Sequence, residues 1–329
     1  MNYPKHILIC GLGSIGRYYV RLIRKKWPFI KISILRSGKG KDFKEIDLAD
    51  QIFFNFSDAL DSKPNACIIS SPAPFHLEHA LFFAKAGIPL LIEKPVGTLE
   101  ESPGPYSWDE LIEINKNIPI FVGYIFRSDP CSKYLEKIIS SNQLGKLIEA
   151  DFFCGSWLPE WRQGIEYQES VSASKALGGG VLLELSHEID IAQWLLGEIT
   201  LHSALLNNKG VLGIDVEESA LLTGFNDNCH SISFRLNFCS KPSRRLTTIR
   251  GTLGEAIWDV SNKIITYNGG KGDSKVKHFR RNKDDLFSLQ LLEFFNSLNS
   301  HNSFLCNLSE GLSVLRLIKR AKQLESEIL

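Results

Sequence analysis

Apolar runs and helix-like stretches alternate along the first third of the chain. Three segments have apolar residues at helical spacing and predict helices: Ser14–Trp27, Phe75–Ala86 and Trp108–Lys116. The apolar runs before, between and after them predict strands: His6–Cys10, Lys31–Leu35, Gln51–Phe56, Ala66–Ser70, Pro89–Ile92 and Ile118–Tyr124. Repeated strand–helix units imply a parallel sheet with right-handed crossovers. Ligands bind beyond the carboxyl ends of the strands in such a sheet. This part therefore predicts a doubly wound α/β domain with a ligand site at that edge.

The pattern changes near residue 124. A helix over Cys131–Ser140, a strand over Leu147–Cys154 and a helix over Leu182–Leu196 come first. The alternating segments that follow predict an antiparallel meander: Leu201–Leu206, Ser219–Phe225, Cys229–Phe238, Leu246–Arg250, Ala256–Val260 and Lys263–Tyr267. Helices over Asp284–Leu298 and Ser309–Glu327 close the chain. We expect two domains, residues 1–124 and 125–329, with the C-terminal helices able to pack back on the first.

Composition narrows the class of protein. Among 329 residues, 38 Lys and Arg nearly balance 37 Asp and Glu, so no charge pattern for nucleic acid or an anionic membrane is visible. Seven cysteines without a C-x-x-C pair indicate a reduced, intracellular protein with no zinc site, and we expect no metal. A strand that begins by residue 6 leaves no room for a signal peptide, and no apolar stretch reaches a membrane span. We expect a cytoplasmic protein.

A G-x-G-x-x-G turn, formed by Gly11, Gly13 and Gly16, lies between the first strand and the first helix. Gly11 permits the tight turn, Gly13 allows the backbone to approach a pyrophosphate, and Gly16 allows close helix–strand packing. The helix start at Ser14 and Ile15 offers backbone N–H groups and a partial positive charge to an anion. The turn therefore predicts a dinucleotide site.

The residues at the end of the second strand indicate which dinucleotide the site would bind. An acidic residue there would bind the ribose hydroxyls of NAD, but the chain has Arg36 and Ser37, followed by Lys39. Their donors suit a 2′-phosphate. We expect NADP(H) in preference to NAD(H).

Polar residues also follow the fourth and fifth strands. Ser70, Ser71 and Pro72, with His76 beyond, are candidates for a wall beside the nicotinamide ribose; an ordinary turn that opens a helix is the alternative. Glu93 and Lys94 follow the fifth strand, where charge is costly unless it is used or paired. Lys94 could stabilise a developing alkoxide at the cofactor, or the two residues could form a strand-end ion pair.

A third group follows three glycines at 178–180. On one helix Glu184, His187 and Asp190 would share a face, where a carboxylate orients the imidazole as a general base; a structural histidine is the alternative. The loop at 155–174 contains Trp157, Trp161, Arg162 and Tyr167, a set suited either to a sugar or to a protein interface.

These motifs, in this order, resemble the Gfo/Idh/MocA oxidoreductase family. The resemblance includes the glycine turn, Ser71-Pro72 with His76, Glu93-Lys94-Pro95 and the segment 178–190, together with Gly123-Tyr124, Arg127, Leu144-Gly145-Lys146, Trp194, Gly197 and Gly251 to Gly254. It implies an N-terminal Rossmann domain and a C-terminal α+β domain with an open, mostly antiparallel sheet that commonly forms homodimers or homotetramers.

The resemblance also implies roles for residues. Lys94 is similar to the family's catalytic lysine and His187 to its catalytic histidine. Glu184 replaces an aspartate and stands three rather than four residues before the histidine. The remaining expected contacts fall into two groups: Glu93 and Lys94 with the cofactor, and Arg127, Trp161, Arg162, Tyr167 and Asp190 with the substrate.

The amino-acid sequence of the segment 185–190 is similar to that of a subgroup of the family associated with bacterial surface-sugar biosynthesis. We therefore expect hydride transfer between nicotinamide and a hydroxyl-bearing carbon of a sugar, nucleotide sugar or polyol. A redox-neutral NAD-dependent glycosidase or epimerase and a non-catalytic dinucleotide-binding regulator are the alternatives.

Overall fold

The computed structural model describes residues 3–40, 42–99, 104–162, 164, 166–298 and 303–328. They form two compact units. The first unit contains the chain up to residue 125 and the segment 283–312, and the second contains 126–282 and the chain from 313 onwards. The chain therefore returns to the first unit after the second has been largely completed.

The elements have the following bounds. The strands are β1 (His6–Cys10), β2 (Lys31–Leu35), β3 (Gln51–Phe53), β4 (Ala66–Ile69), β5 (Leu90–Ile92), β6 (Ile120–Val122), β7 (Leu147–Trp157), β8 (Thr200–Asn207), β9 (Ser219–Asn226), β10 (Cys229–Asn237), β11 (Cys239–Gly251), β12 (Gly254–Asp259), β13 (Ile264–Gly269), β14 (Ser274–His278) and β15 (Cys306–Asn307). The α-helices are α1 (Ser14–Lys26), α2 (Phe56–Asp61), α3 (His76–Lys85), α4 (Trp108–Asn115), α5 (Pro130–Ser140), α6 (Val181–Glu184), α7 (His187–Leu196), α8 (Lys283–Asn296) and α9 (Leu308–Ile328).

The first unit is built on a sheet with the order β15-β6-β5-β4-β1-β2-β3. Strands β1 to β6 are parallel, and the short β15 adds to β6 in the antiparallel direction. Every residue of β1, β4 and β5 is buried, as expected for strands covered on both faces. The carboxyl ends of β1, β2, β4 and β5 meet at one edge, where the strand order reverses between β1 and β4. This is a Rossmann dinucleotide-binding fold.

The second unit contains a mostly antiparallel sheet with the order β14-β13-β12-β11-β7-β10-β9-β8. The long strand β7 lies inside it, antiparallel to β11 and parallel to β10. Buried residues alternate with accessible ones along β8 and β9, as in a sheet covered on one face.

Three of the differences between the predicted elements and the structure concern a strand end, a helix break and an exposed strand. The strand predicted over Gln51–Phe56 ends at Phe53, because Asn55 accepts a hydrogen bond from the Asp58 N–H at 2.9 Å and starts α2. The helix predicted over Leu182–Leu196 is interrupted at 185–186, between α6 and α7. Strand β14, exposed throughout, was missed because it lacks apolar alternation.

Candidate functional site

The glycine turn has the geometry that a pyrophosphate needs. Gly11 has φ +100°, and a Cβ there would lie 2.6 Å from the Ser71 nitrogen. A Cβ on Gly16 would lie 2.1 Å from the Gly11 oxygen, whereas one on Gly13 would meet nothing closer than 4.0 Å. Space is therefore left at the middle glycine. Since no described side chain caps the start of α1 at Gly13, and its first turn contains no acid, its N–H groups suit a bound phosphate.

Arg36 lies where the sequence places it, directly after β2, but its guanidinium is already engaged. It donates to Asp42 Oδ1 at 2.5 Å and to the Gly40 oxygen at 2.8 Å. The Ser37 hydroxyl accepts from the Lys39 N–H at 3.3 Å. An incoming 2′-phosphate would thus compete with the Asp42 carboxylate for Arg36.

The residues after β4 connect neighbouring strands. The Ser70 hydroxyl donates to the Gly11 oxygen at 2.9 Å, so it ties the end of β4 to the glycine turn. The Ser71 hydroxyl lies 2.9 Å from His79 Nδ1, and Cys10 Sγ lies 3.5 Å from the same atom. Burial, with help from His76, lowers the pKa of His79 to about 4, so at neutral pH its ring is uncharged.

His76 lies buried next to two backbone carbonyls of the first unit. It is 1% exposed, with Nε2 2.8 Å from the Ser71 oxygen and Nδ1 3.0 Å from the Pro95 oxygen. Burial lowers its pKa, and a neutral ring has one N–H for the two carbonyls. We therefore assign His76 to the support of the loops that follow β4 and β5.

Glu93 and Lys94 differ in their surroundings. Glu93 is buried, and its Oε1 accepts a hydrogen bond from the Tyr19 hydroxyl at 2.5 Å. Lys94 is partly exposed between buried neighbours at 93 and 95. The strand end thus turns the carboxylate into the unit and leaves the lysine accessible, so Lys94 is the better candidate for chemistry.

In the second unit, the turn at 178–180 is fixed by a residue that the sequence did not single out. Glu217 Oε1 accepts from the Leu182 N–H at 3.2 Å, and its Oε2 accepts from Lys322 at 2.7 Å. Gly180 has φ +106°, and a Cβ there would lie 2.6 Å from this carboxylate. Glu217 therefore determines where α6 begins.

The acid–histidine segment spans the break between the two helices. Glu184 ends α6, and its carboxylate accepts from the Ser172 hydroxyl at 2.9 Å. His187 begins α7, with its ring 5.1 Å from that of Phe126 in an edge contact. The two residues are thus on different helices, and the shared face that a single helix would give does not apply.

Asp190 is paired with Arg127. The Arg127 guanidinium donates to both carboxylate oxygens at 2.7 to 3.1 Å, and the side chains are 2% and 0% exposed. A buried bidentate pair of this kind fixes α7 against the segment that follows β6. This placement favours a supporting role over direct substrate contact for both residues.

Another ion pair lies next to His187. Glu188 is bound by Arg245 of β11 at 2.5 Å, and the Arg245 guanidinium lies 4.6 Å from the centre of the Phe126 ring. Phe126 thus packs against both Arg245 and His187. Sequence reasoning missed Arg245, since an arginine within an alternating strand carries no local signal of a partner.

The aromatic loop is held by internal contacts. Trp161 packs on Phe238 at 5.2 Å, and its indole N–H donates to Ser156 at 2.8 Å. The Tyr167 hydroxyl donates to the Leu212 oxygen at 2.9 Å, while Arg162 is partly exposed. Trp157 packs against Lys241, whose ammonium lies 4.9 Å from the ring centre. These contacts hold the aromatic rings of the loop in defined places.

In the described part of the chain, no group of three or more His, Cys, Asp or Glu residues is arranged to hold a metal ion. None of the helices in that part is long and apolar enough to cross a membrane.

Comparisons with known proteins agree with this arrangement. Residues 5–114 match the model of an oxidoreductase family with an NAD-binding Rossmann fold, and residues 132–257 match the GFO/IDH/MocA C-terminal domain. The chain belongs to the GFO/IDH/MocA family.

The curated relatives that match individually have low sequence identity to this chain and align with only part of it. Levoglucosan dehydrogenase of Pseudarthrobacter phenanthrenivorans is 30% identical over 226 residues, which are 59% of this chain and 55% of the relative. Inositol 2-dehydrogenase of Corynebacterium glutamicum is 24% identical over 204 residues, 60% and 56% of the two chains. The chain thus spans about half the length of the curated relatives it matches.

Solved structures share the fold over nearly the whole chain. A levoglucosan dehydrogenase in complex with NADH gives a TM-score of 0.82 at 16% identity and covers 98% of this chain and 97% of its own. A UDP-N-acetylglucosamine 3-dehydrogenase from Acidithiobacillus ferrooxidans gives 0.76 at 17% identity, covering 99% of both chains. At these identities the likeness concerns the fold alone.

Proposed function

We propose that the protein is an NAD(P)-dependent dehydrogenase that transfers a hydride between nicotinamide and a hydroxyl-bearing carbon of a sugar, nucleotide sugar or polyol. Membership in an oxidoreductase family supports this proposal, as do relatives named levoglucosan dehydrogenase and inositol 2-dehydrogenase. The observation that carries it furthest is the partly exposed Lys94 at the end of β5, in the unit that contains the glycine turn.

The bound cofactor supplies the hydride acceptor or donor. Lys94 donates a hydrogen bond to the substrate oxygen and stabilises the negative charge that develops there. His187 takes the hydroxyl proton, and Glu184, held by Ser172, supports the charge that the imidazole acquires. Arg127 and Asp190 hold α7 in place.

Turnover of variants tests these roles. Lys94→Ala and His187→Ala should each lower kcat by about 10²- to 10⁴-fold, the usual contribution of a positioned acid or base, with cofactor affinity unchanged. Lys116→Ala and His202→Ala, at accessible positions outside the proposed site, are matched controls that should keep wild-type turnover. Wild-type kcat in either site variant would remove that residue from the scheme.

The assay is the formation of reduced nicotinamide with levoglucosan, inositols and UDP-sugars as candidate substrates. One reduced cofactor for each substrate consumed supports net dehydrogenation. Substrate conversion without accumulation of reduced cofactor would instead identify a redox-neutral enzyme.

NADP(H) is the proposed cofactor in preference to NAD(H). Arg36 at the end of β2, and the absence of a carboxylate between residues 31 and 39, support this choice. Tighter binding of NADH than of NADPH in a fluorescence titration would contradict it.

The assembly is proposed to be a homodimer or homotetramer through the sheet of the second unit. Leu205 of β8 and Leu221 of β9 are cross-strand partners, 52% and 42% exposed, with Phe225 nearby at 47%. Covering this apolar patch stabilises association. Leu221→Asp should shift the mass measured by light scattering towards the monomer, whereas Val211→Asp, in a loop of the same unit, should not.

A further inference from the structure

A chain of buried hydrogen bonds connects the carboxylate beside Lys94 to the C-terminal part of the first unit. The Tyr19 hydroxyl of α1 donates to Glu93 Oε1 at 2.5 Å, and the Gln290 amide of α8 donates to the Tyr19 oxygen at 2.9 Å. Tyr19 and Gln290 are 0% exposed, and Glu93 is 7% exposed. The three residues are distant in sequence, so only the fold brings them together.

The surroundings of Glu93 are those of a carboxylate held in a defined place. Gly123 closes one side, since a Cβ there would lie 2.9 Å from Oε1. Burial raises the pKa of Glu93, while the hydrogen bond from Tyr19 and the charges of Lys94 and Lys283 lower it. Burial and the neighbouring Glu93 raise the pKa of Tyr19 well above its usual value, so the hydroxyl keeps its proton and donates.

A buried carboxylate is expensive compared with an apolar side chain of the same volume. A carboxylate at this buried position therefore points to an effect on a residue outside the core, and Lys94 is the adjacent residue. A fixed Glu93 fixes the backbone from which Lys94 projects.

We propose that Tyr19 and Gln290 are positioning residues that hold Glu93 and thereby set the orientation of Lys94. This inference rests on the proposed function of Lys94. It assigns a part in the site to α8, which lies nearly two hundred residues after Lys94 along the chain.

Tyr19→Phe is the direct test, because it removes the hydroxyl and leaves the ring in its edge contact with Phe287. We expect kcat to fall about tenfold or more, the usual effect of losing one hydrogen bond to a charged group. Because the hydrogen bond from Tyr19 lowers the pKa of Glu93, its loss should move the acidic limb of the pH profile of kcat/KM to higher pH, and NADPH affinity should stay unchanged. Gln290→Met should act in the same direction with a smaller effect.

Tyr18→Phe is the matched control. It removes a hydroxyl from the next position of the same helix, where Tyr18 donates to Asp284 at 2.6 Å. This variant should keep the wild-type kcat and pH profile. An equal loss in both variants would overturn the proposal, because the effect would then belong to the helix in general.

A double-mutant cycle tests whether Tyr19 acts through Glu93. Glu93→Gln should lower kcat and change the acidic limb by itself, and adding Tyr19→Phe should then change kcat by much less than it does in the wild type. Fully additive effects would refute the connection, as would a Tyr19→Phe enzyme with wild-type kcat and pH profile.

A second readout does not depend on turnover. Acetylation of individual lysines at one fixed pH can be followed by mass spectrometry in the full-length protein, and the rate at Lys94 relative to the other lysines should change in Tyr19→Phe. An unchanged relative rate at Lys94 would overturn the proposal. If the wild type turns over none of the candidate substrates but the rate at Lys94 still changes, the proposed function fails and the positioning of Lys94 stands.

Discussion

His79 should make the first unit lose stability in mild acid. Its pKa is lowered from 6.5 to about 4 in the folded protein, mainly by burial. As the pH falls, His79 therefore takes up a proton near pH 6.5 in the unfolded chain but only at about pH 4 in the folded chain. The free energy of unfolding is unaffected above the upper value and declines between the two.

The size of the effect follows from the shift. A displacement from 6.5 to about 4, at about 1.4 kcal/mol for each pH unit, gives a loss of up to about 3 kcal/mol. About 2 kcal/mol of it should already be lost at about pH 5. His79→Gln keeps a polar side chain of similar length without the titration, so the acid loss should be smaller by these amounts.

The assay must report on the first unit separately. Amide hydrogen exchange of peptides from β1 and β4, corrected for intrinsic exchange rates, gives the free energy of opening between about pH 7.5 and 5. The difference between wild type and His79→Gln cancels the carboxylates and the other histidines. His230→Gln, at an exposed position in the second unit, is the control. Equal pH dependence in wild type and His79→Gln would refute the reasoning.

Three further outcomes are expected. Arg36→Ala should weaken NADPH binding about tenfold and leave NADH binding unchanged. Asp42→Asn should strengthen NADPH binding, because it frees the Arg36 guanidinium. Fluorescence titration measures both affinities. Asp190→Leu should cost about 3–5 kcal/mol in urea unfolding, and adding Arg127→Met should recover part of that loss. Gly16→Ala should abolish dinucleotide binding in calorimetry, since its Cβ would lie 2.1 Å from the Gly11 oxygen. A variant that behaves like wild type would contradict the corresponding contact.

Local signals were sufficient for much of the first unit. Strand β1 has the bounds that its apolar run predicts, because a strand buried on both faces shows its full length as uninterrupted apolar sequence. The glycine turn was readable for a similar reason, since its constraints are backbone constraints within six residues. Lys94 could be proposed from the sequence because charge directly after a buried strand is unusual.

The break between α6 and α7 shows what local signals omit. Periodicity predicts one helix over 182–196, because its apolar residues keep helical spacing through the break. The start of α6 is instead fixed by Glu217, which is brought to the turn by a strand connection thirty-odd residues later. No window of sequence around Glu184 contains that information, so the spacing between Glu184 and His187 could not be read as geometry.

The same distinction applies to His76 and Glu93, whose positions in the sequence predict cofactor contacts. Both stand beside residues at the sheet edge, and sequence position does not reveal the direction of a side chain. Burial does: His76 bridges the Ser71 and Pro95 carbonyls, and Glu93 turns towards Tyr19. Lys94 is thus held from both of its neighbours, through the Glu93 carboxylate and through the Pro95 carbonyl. A lysine at the end of a strand gains a defined orientation only from such contacts, because its own long side chain is flexible. The residues that fix Lys94 are therefore as much part of the candidate site as the lysine that would meet the substrate.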